Sequence, residues 1–211
     1  MGSRRRHHEH SIRRRGPTRE PKQRILIVCE GEETERGYFK AFQHEARNPR
    51  VHVELASETG EPLQVVQIAM RLKEKAEGEA RSQRDENLRW DEVWGVVDVD
   101  EHASLDKARQ LALNNDILLA ISNPCFELWA LLHFQEQRAH LERDKAQVAL
   151  RRHLPGYDKG LDFQKLYPGY RDAVRRAQAL DVEAERRAAP GRNPTTGVHR
   201  LTESIRKGGS S

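Results

Sequence analysis

The chain has 211 residues, which suits one domain with a sizeable core, and its formal net charge of +4 is small. Hydrophobic residues make up 36% and charged residues 33%, so a compact core must coexist with a large polar surface or disordered ends. Two cysteines, Cys29 and Cys125, are too few for a disulfide framework or a cysteine zinc site. No apolar run has the ~20 residues of a membrane span, and the basic N-terminal segment lacks the apolar stretch of a signal peptide. We therefore expect a cytoplasmic protein.

Residues 1–23 form an arginine-rich arm with few apolar residues. Such a segment cannot bury enough apolar surface to fold, so we predict that the arm is disordered. Arg13, Arg14 and Arg15 are candidate nucleic-acid contacts, because basic arms often bind phosphate backbones without sequence preference. A merely solvated tail is the alternative.

Apolar runs rich in β-branched residues predict strands at 25–29, 51–55, 93–97 and 117–121. Amphipathic spacing predicts helices between them, at 34–46, 62–76 and 104–113. The polar stretch 75–89 is either a long loop or a solvated extension of a helix. This alternation is typical of an α/β fold with a mostly parallel sheet flanked by helices. We assign it to residues 24–135 and expect ligands beyond the carboxyl ends of the strands.

After Phe134 the sequence predicts helices without clear strands, at 142–153, 170–188 and about 195–206. We expect residues 136–206 to form a helical C-terminal region packed on the core, and residues 207–211 to form a disordered tail. Arg151 and Arg152 on the first of these helices are candidate nucleic-acid contacts, with a solvated helix face as the alternative.

Carboxylates follow two of the predicted strands. The first strand runs directly into Glu30, and the third runs into Asp98 and Asp100. Two aspartates separated by one residue on an extended chain point to the same side. They repel each other unless a cation or an arginine lies between them, and such oxygen clusters suit Mg²⁺. The alternative is that Asp98 or Asp100 caps the following helix; together with Glu30, the pair indicates a metal site.

The other acids near the first strand have a simpler interpretation. Thr34 is positioned to cap the following helix, and Glu32, Glu33 and Glu35 suit the positive end of its dipole. We therefore assign these three glutamates to the start of the helix, with a site role as the alternative.

Glu127 is the only acid in a nearly all-apolar segment after the fourth strand. Asn123, followed by Pro124, is the predicted cap of the helix that contains it. A buried carboxylate must be paired, protonated or bound to a metal. Its partner is either an arginine or Lys159, or Glu127 belongs to the active site.

The segments 25–39, 96–102 and 122–134, with Tyr157-Asp158-Lys159 and Asn193-Pro194-Thr195-Thr196, resemble RloB-like proteins over roughly residues 20–206. The resemblance implies a TOPRIM-like (Rossmann-like) domain in which Glu30, Asp98 and Asp100 hold Mg²⁺. It also implies a prokaryotic phage-defence setting, often with an ATPase partner. It transfers no role to the shared residues Asn123, Glu127, Lys159 and Asn193.

Two functions from different classes are compatible with these residues. The first is an Mg²⁺-dependent nuclease (with Mn²⁺ as a second metal) that cleaves RNA or DNA. Glu30 would be a ligand or general base, Asp98 and Asp100 would hold the metal, Lys159 would offset charge in the transition state, and Glu127 is a further candidate. The second is a non-catalytic sensor or adaptor that docks on an ATPase. Carboxylates at sheet ends are costly without a cation, which favours the nuclease. A homo-oligomer is compatible with either function.

Overall fold

A five-stranded sheet forms the centre of the protein in a computed structural model, which describes residues 22–99, 104–158 and 160–208. The strands lie in the order β2-β1-β3-β4-β5, and all neighbours are parallel except β4 and β5. They are β1 (Gln23–Cys29), β2 (Val51–Leu55), β3 (Glu92–Asp98), β4 (Leu118–Asn123) and β5 (Thr195–Thr196). The predicted α/β class and mostly parallel, Rossmann-like sheet are therefore confirmed.

Helices cover both faces of the sheet. They are α1 (Thr34–Ala46), α2 (Pro62–Gln83), α3 (Leu105–Asn114), α4 (Glu127–Leu132), α5 (Arg143–His153), α6 (Phe163–Leu166), α7 (Tyr170–Arg186) and α8 (Val198–Lys207), with 3-10 turns at Glu86–Leu88 and Tyr167–Gly169. Alternate side chains of each strand point to opposite faces. Leu26 and Val97 pack with α2 and α3, whereas Ile27 and Val96 pack with α1, α4 and the C-terminal helices.

Several predictions concern residues outside the described ranges. They concern Asp100, Lys159, the arginines Arg13, Arg14 and Arg15, and the greater part of both predicted disordered ends. These stay predictions. Within the described residues, no helix is long and apolar enough to cross a membrane.

The predicted elements agree with the structure except at the C-terminal region and the helix caps. The polar stretch after residue 75 continues α2 as far as Gln83, which supports the helix-extension alternative. The absence of strands after Phe134 was a wrong prediction, because Thr195–Thr196 add β5 to the sheet. The strand has only two residues, too few for an alternating pattern, and a bond of 2.9 Å between the Thr196 and Ser122 hydroxyls helps to hold it.

The predicted caps Asn123 and Thr34 were wrong. Asn123 ends β4, and α4 begins only at Glu127. The Asn123 amide instead donates to the Gly191 carbonyl at 2.9 Å. Thr34 is the first residue of α1 rather than its cap.

An aromatic cluster joins the C-terminal helices to the first half of the chain. Tyr38 of α1 lies edge-on to Trp129 of α4 at 6.2 Å between ring centres, and Trp129 contacts Tyr170 of α7 at 6.3 Å. His133 Nδ1 lies 2.8 Å from the Leu166 carbonyl, and burial lowers the pKa of His133 to about 4. The neutral imidazole therefore belongs to this apolar core.

Candidate active site

Glu30 and Asp98 lie side by side at the carboxyl edge of the sheet, as the sequence predicts. β1 and β3 are parallel neighbours with Cys29 opposite Val96, so the residues that follow these positions lie close together. The Glu30 amide donates to the Val96 carbonyl at 3.0 Å, and its Oε2 accepts from the Asp98 amide at 3.0 Å. Strand register thus places both carboxylates at one point of the edge.

The Asp98 carboxylate is buried beside a guanidinium. Its Oδ2 lies 3.1 Å from Nη2 of Arg143, the first residue of α5, whereas its Oδ1 has no hydrogen-bond partner among the described residues. Burial raises the pKa of Asp98 well above its usual value, and Glu35, Glu30 and Glu127 add to the rise while Arg143 opposes it. The charged form of Asp98 is therefore under-compensated by the protein.

Glu35 is a member of this site that the sequence analysis assigned to the helix start. It does lie in the first turn of α1, but its side chain is buried. Burial, followed by the charges of Glu127 and Glu30, raises its pKa. Its spacing from Tyr38, Phe39 and Phe42 is the signal in the sequence, because residues three, four and seven positions apart share one helix face. Glu32 and Glu33, by contrast, are exposed.

Gly31 makes room for the Glu35 carboxylate. A Cβ atom at Gly31 would lie 2.2 Å from Glu35 Oε2, far inside contact distance. A side chain at position 31 would therefore have to displace the Glu35 carboxylate from this place.

Glu127 begins α4 and faces the same cluster. Its Oε1 accepts hydrogen bonds from the Tyr157 hydroxyl at 2.9 Å and from Gln147 Nε2 at 3.1 Å. Its partners among the described residues are therefore neutral donors rather than the arginine that we considered, and Lys159 lies outside those residues. Two donors hold the carboxylate in one orientation without neutralising it.

Glu35, Asp98 and Glu127 line an open cavity of about 370 Å³, whereas Glu30 lies beside Asp98 and is not among the described lining residues. Its wall includes the loop and helix start at residues 31–35 and also Asp98, Phe126, Glu127, Arg143 and Gln147. The cavity thus presents several carboxylates and the Arg143 guanidinium to solvent at the sheet edge where α/β proteins bind ligands.

The donor chemistry suits a hard divalent cation, for which carboxylate oxygens are the preferred ligands. The orphaned Oδ1 of Asp98 fits such a ligand. Within residues 22–99, 104–158 and 160–208, however, no three His, Cys, Asp or Glu side chains converge closely enough to hold a metal ion. The predicted ligand Asp100 lies outside these ranges, so Glu30 and Asp98 are the described part of the predicted set.

Arg151 and Arg152 lie in the last turn of α5 and are exposed. Arg151 Nε donates to the Tyr157 carbonyl at 3.1 Å, so this arginine anchors the loop whose tyrosine holds Glu127. Contact of either arginine with nucleic acid stays a prediction.

Comparison with known proteins identifies the family. Residues 25–205 match the RloB-like protein family, and this range contains every described residue of the cavity. No curated protein and no solved structure matched the chain. The match spans most of the sequence, and the protein therefore belongs to the RloB-like family.

Proposed function

We propose that this protein is an Mg²⁺-dependent nuclease that hydrolyses phosphodiester bonds of RNA or DNA in prokaryotic antiviral defence. One observation carries the proposal: Glu35, Asp98 and Glu127 line one cavity beside Glu30, and the buried Oδ1 of Asp98 has no hydrogen-bond partner among the described residues. In agreement with this geometry, burial and mutual repulsion raise the pKa of Asp98 and Glu35. Such an arrangement destabilises the folded protein unless a cation offsets it. A divalent ion is the simplest compensation for the whole group.

Glu30 and Asp98, together with Asp100, are the residues that would hold the metal. When bound, Mg²⁺ or Mn²⁺ supplies charge stabilisation at the scissile phosphate and lowers the pKa of a bound water. Arg143, which already contacts Asp98, adds positive charge to the same cavity and suits the non-bridging oxygens of a phosphate. Lys159 is a further candidate for offsetting charge there.

Glu35 is better suited than Glu30 to exchange a proton with the attacking water or the leaving group. Its pKa is raised, and general bases and acids work best when their pKa lies near the working pH. Glu127, oriented by Tyr157 and Gln147, would keep Glu35 in this state through its negative charge. In this division of roles, Glu30, Asp98 and Asp100 would hold the metal, Glu35 of α1 would transfer the proton, and Glu127 of α4 would keep the pKa of Glu35 raised.

A non-catalytic sensor or adaptor that acts with an ATPase partner is the second candidate. The observation that favours it is that Glu30 accepts from the Asp98 amide and Asp98 accepts from Arg143, so the protein itself satisfies part of the cluster. In this case the carboxylates would serve to fix the sheet edge rather than to bind a metal.

The two candidates separate in a cleavage assay. The purified protein is incubated with Mg²⁺, Mn²⁺ or EDTA against plasmid, single-stranded DNA and total RNA, beside Asp98→Asn, Glu35→Gln and the exposed-carboxylate control Glu74→Gln. We expect cation-dependent cleavage that falls by at least about 100-fold in Asp98→Asn, since removal of a transition-state charge contact costs this much, and is unchanged in the control. Full activity of Asp98→Asn, or activity in EDTA, would contradict the proposal; no cleavage of any substrate by the folded protein favours the adaptor.

A further inference from the structure

An arginine-lined groove of about 520 Å³ runs along α7 in the C-terminal region. Its other walls are residues 136–138, after α4, and Arg192 and Pro194, before β5. Two carboxylates, Glu136 and Glu183, line it against six arginines, namely Arg138, Arg175, Arg176, Arg186, Arg187 and Arg192. The groove therefore carries an excess of positive charge that the nearly neutral composition of the whole chain does not reveal.

Ion pairs neutralise only part of this charge. Arg138 pairs with Glu136, Arg187 with Glu183 and Arg175 with Asp172, all at exposed positions where such pairs are weak. Arg186 and Arg192 are exposed and have no carboxylate partner in the described part of the chain. Guanidinium groups in this state are available to an external anion.

Arg176 is fixed at the inner side of the groove. Its Nη1 donates to the Leu132 carbonyl at the end of α4, at 2.6 Å. Its Nε is buried and has no hydrogen-bond partner among the described residues. A buried N–H of a charged group without an acceptor is costly, so the Leu132 carbonyl compensates the charge of Arg176 only in part.

The rest of the lining is two glutamines, Gln137 and Gln178, and a set of aliphatic residues. The aliphatic set comprises Ala179, Leu180, Val182, Ala184 and Pro194, and no aromatic side chain is among the lining residues that the structure describes. Base stacking on aromatic rings, the usual second contribution to single-strand binding, is therefore not provided there. A nucleic acid in this groove would be held through its phosphates, which gives affinity without sequence preference.

One loop connects this groove to the acidic cavity. The Asn193 side chain accepts from the Leu141 amide at 2.8 Å and donates to the Leu141 carbonyl at 2.7 Å. Leu141 is two residues before Arg143, which contacts Asp98. At the other side, the loop is tied through Gly191 to Asn123 at the carboxyl end of β4. Hydrogen bonds of this loop thus connect the groove wall to the segment before Arg143 and to the carboxyl end of β4.

We infer that the arginine groove binds the phosphodiester backbone of one nucleic-acid strand and leads that strand to the acidic cavity, an inference whose second half rests on the proposed nuclease function. The groove has the volume of a ligand pocket, within the range of roughly 300–1,000 Å³, which suits one phosphodiester backbone. Arginine suits this role because its planar fork of donors matches phosphate oxygens.

The test is a binding measurement without cleavage. Fluorescence anisotropy is recorded in EDTA with labelled single-stranded DNA, single-stranded RNA and duplex DNA, for the full chain and for the triple variant Arg186→Gln, Arg187→Gln, Arg192→Gln. We expect single strands to bind more tightly than the duplex and the triple variant to bind them at least about tenfold more weakly. The slope of log K against log salt should become shallower by about 2, since each lost contact to a single strand contributes about 0.7.

A matched control removes the same charge elsewhere. Lys75, Arg81 and Arg84 are exposed on or just after α2, which packs on the opposite face of the sheet. Their triple substitution by Gln should leave affinity within about twofold of the wild type, since surface charges beyond a Debye length of ~8–10 Å contribute little. Circular dichroism of both triple variants checks that they are folded.

Four results would overturn the inference: wild-type binding by the groove variant, equal losses in the groove variant and the control, tighter binding of the duplex, and competition by poly-glutamate as strong as that by a single-stranded homopolymer. The nuclease proposal is tested separately, by the cleavage assay rather than by this binding assay. Binding is recorded in EDTA, where no cleavage is expected, so binding lost only in the groove variant supports the groove even where nothing is cleaved. If the groove variant binds and cleaves like the wild type, the groove proposal fails and the nuclease proposal stands.

Discussion

Asp98 shows what the acidic cavity costs the folded protein. Among the described residues, its carboxylate has one charged partner, Arg143, and its Oδ1 has no hydrogen-bond partner. Burial and the charges of Glu35, Glu30 and Glu127 together outweigh the guanidinium, since the pKa of Asp98 is raised and not lowered. The residue is therefore arranged for something other than stability of the metal-free protein.

The stability of the metal-free protein should show this cost as a pH dependence. A carboxyl with a raised pKa binds its proton more tightly in the folded state, so stability is lost as the pH rises from the unfolded pKa, near 3.8, through the folded one. His133, whose pKa is lowered to about 4, has the opposite effect: below pH 6.5 it makes stability fall as the pH falls. This effect is the same in the wild type and in an Asp98 variant, so it cancels when the two are compared.

We therefore predict that Asp98→Asn is increasingly more stable than the wild type as the pH rises above 4 in EDTA. Urea denaturation at several pH values measures the difference in free energy of unfolding. A difference that shrinks with rising pH would show that Arg143 over-compensates the charge and that the cluster has no need of a cation.

At the residue scale the sequence revealed part of the site. Glu30 and Asp98 were predictable because each follows an apolar strand, and parallel neighbours end at one edge. Glu35 was assigned to a helix start because its position satisfied a local rule, although its spacing from Tyr38 placed it on the buried face. The contacts of Arg143, Gln147 and Tyr157 were not predictable, because they depend on how α5 and the following loop pack against α4.

Among the elements, the loop at residues 190–194 has the widest structural effect. It leads into β5, forms one wall of the arginine groove and is tied by Asn193 to the segment that precedes Arg143. Two hydrogen bonds from one side chain to the backbone of Leu141 replace the ladder that a longer strand would provide.

Removal of these bonds should be expensive. We predict that Asn193→Ala lowers the free energy of unfolding by about 2–3 kcal/mol, because it leaves a partly buried amide and carbonyl without partners. Asn115→Ala, which removes one bond to the Leu111 carbonyl, is the control and should cost about 1 kcal/mol. Urea denaturation gives both values, and equal losses would show that the loop is not held by Asn193.

Longer strands and helices were easier to predict from the sequence, because they contain more repeats of the apolar pattern. Four strands and most helices carry enough apolar residues to reveal their period. β5 has two residues and exists through pairing with β4 and the hydroxyl bond to Ser122, neither of which a local pattern contains. The caps failed for a similar reason, since the turns after β1 and β4 are set by packing.

At the scale of the whole molecule, the sheet and the C-terminal helices share one hydrophobic core. Ile27 and Phe39 belong to the same cluster as Leu150, Tyr170 and Leu201. The division at residue 135 that the sequence suggested stays a prediction. On the face of the sheet covered by α1, α4 and the C-terminal helices, the described residues within 24–135 have no hydrophobic core separate from that of the C-terminal region.

We accordingly predict that residues 22–135 alone do not fold cooperatively. The fragment would expose Trp129, Leu131 and neighbouring side chains that the C-terminal helices bury, and burial of each large apolar side chain contributes about 1.5–3 kcal/mol. Urea denaturation followed by tryptophan fluorescence tests this. A sharp transition in the fragment would show that the α/β core is independent.

The central claim, that the carboxylate cluster is a divalent-cation site, is tested most directly by titration of the full chain with Mn²⁺, with the bound fraction followed by electron paramagnetic resonance. This measurement needs no knowledge of the substrate. We predict saturable binding that Mg²⁺ displaces, that Asp98→Asn weakens by at least about tenfold, and that Glu74→Gln leaves unchanged. Equal binding by Asp98→Asn and the wild type, or no binding by the folded wild type, would contradict the account.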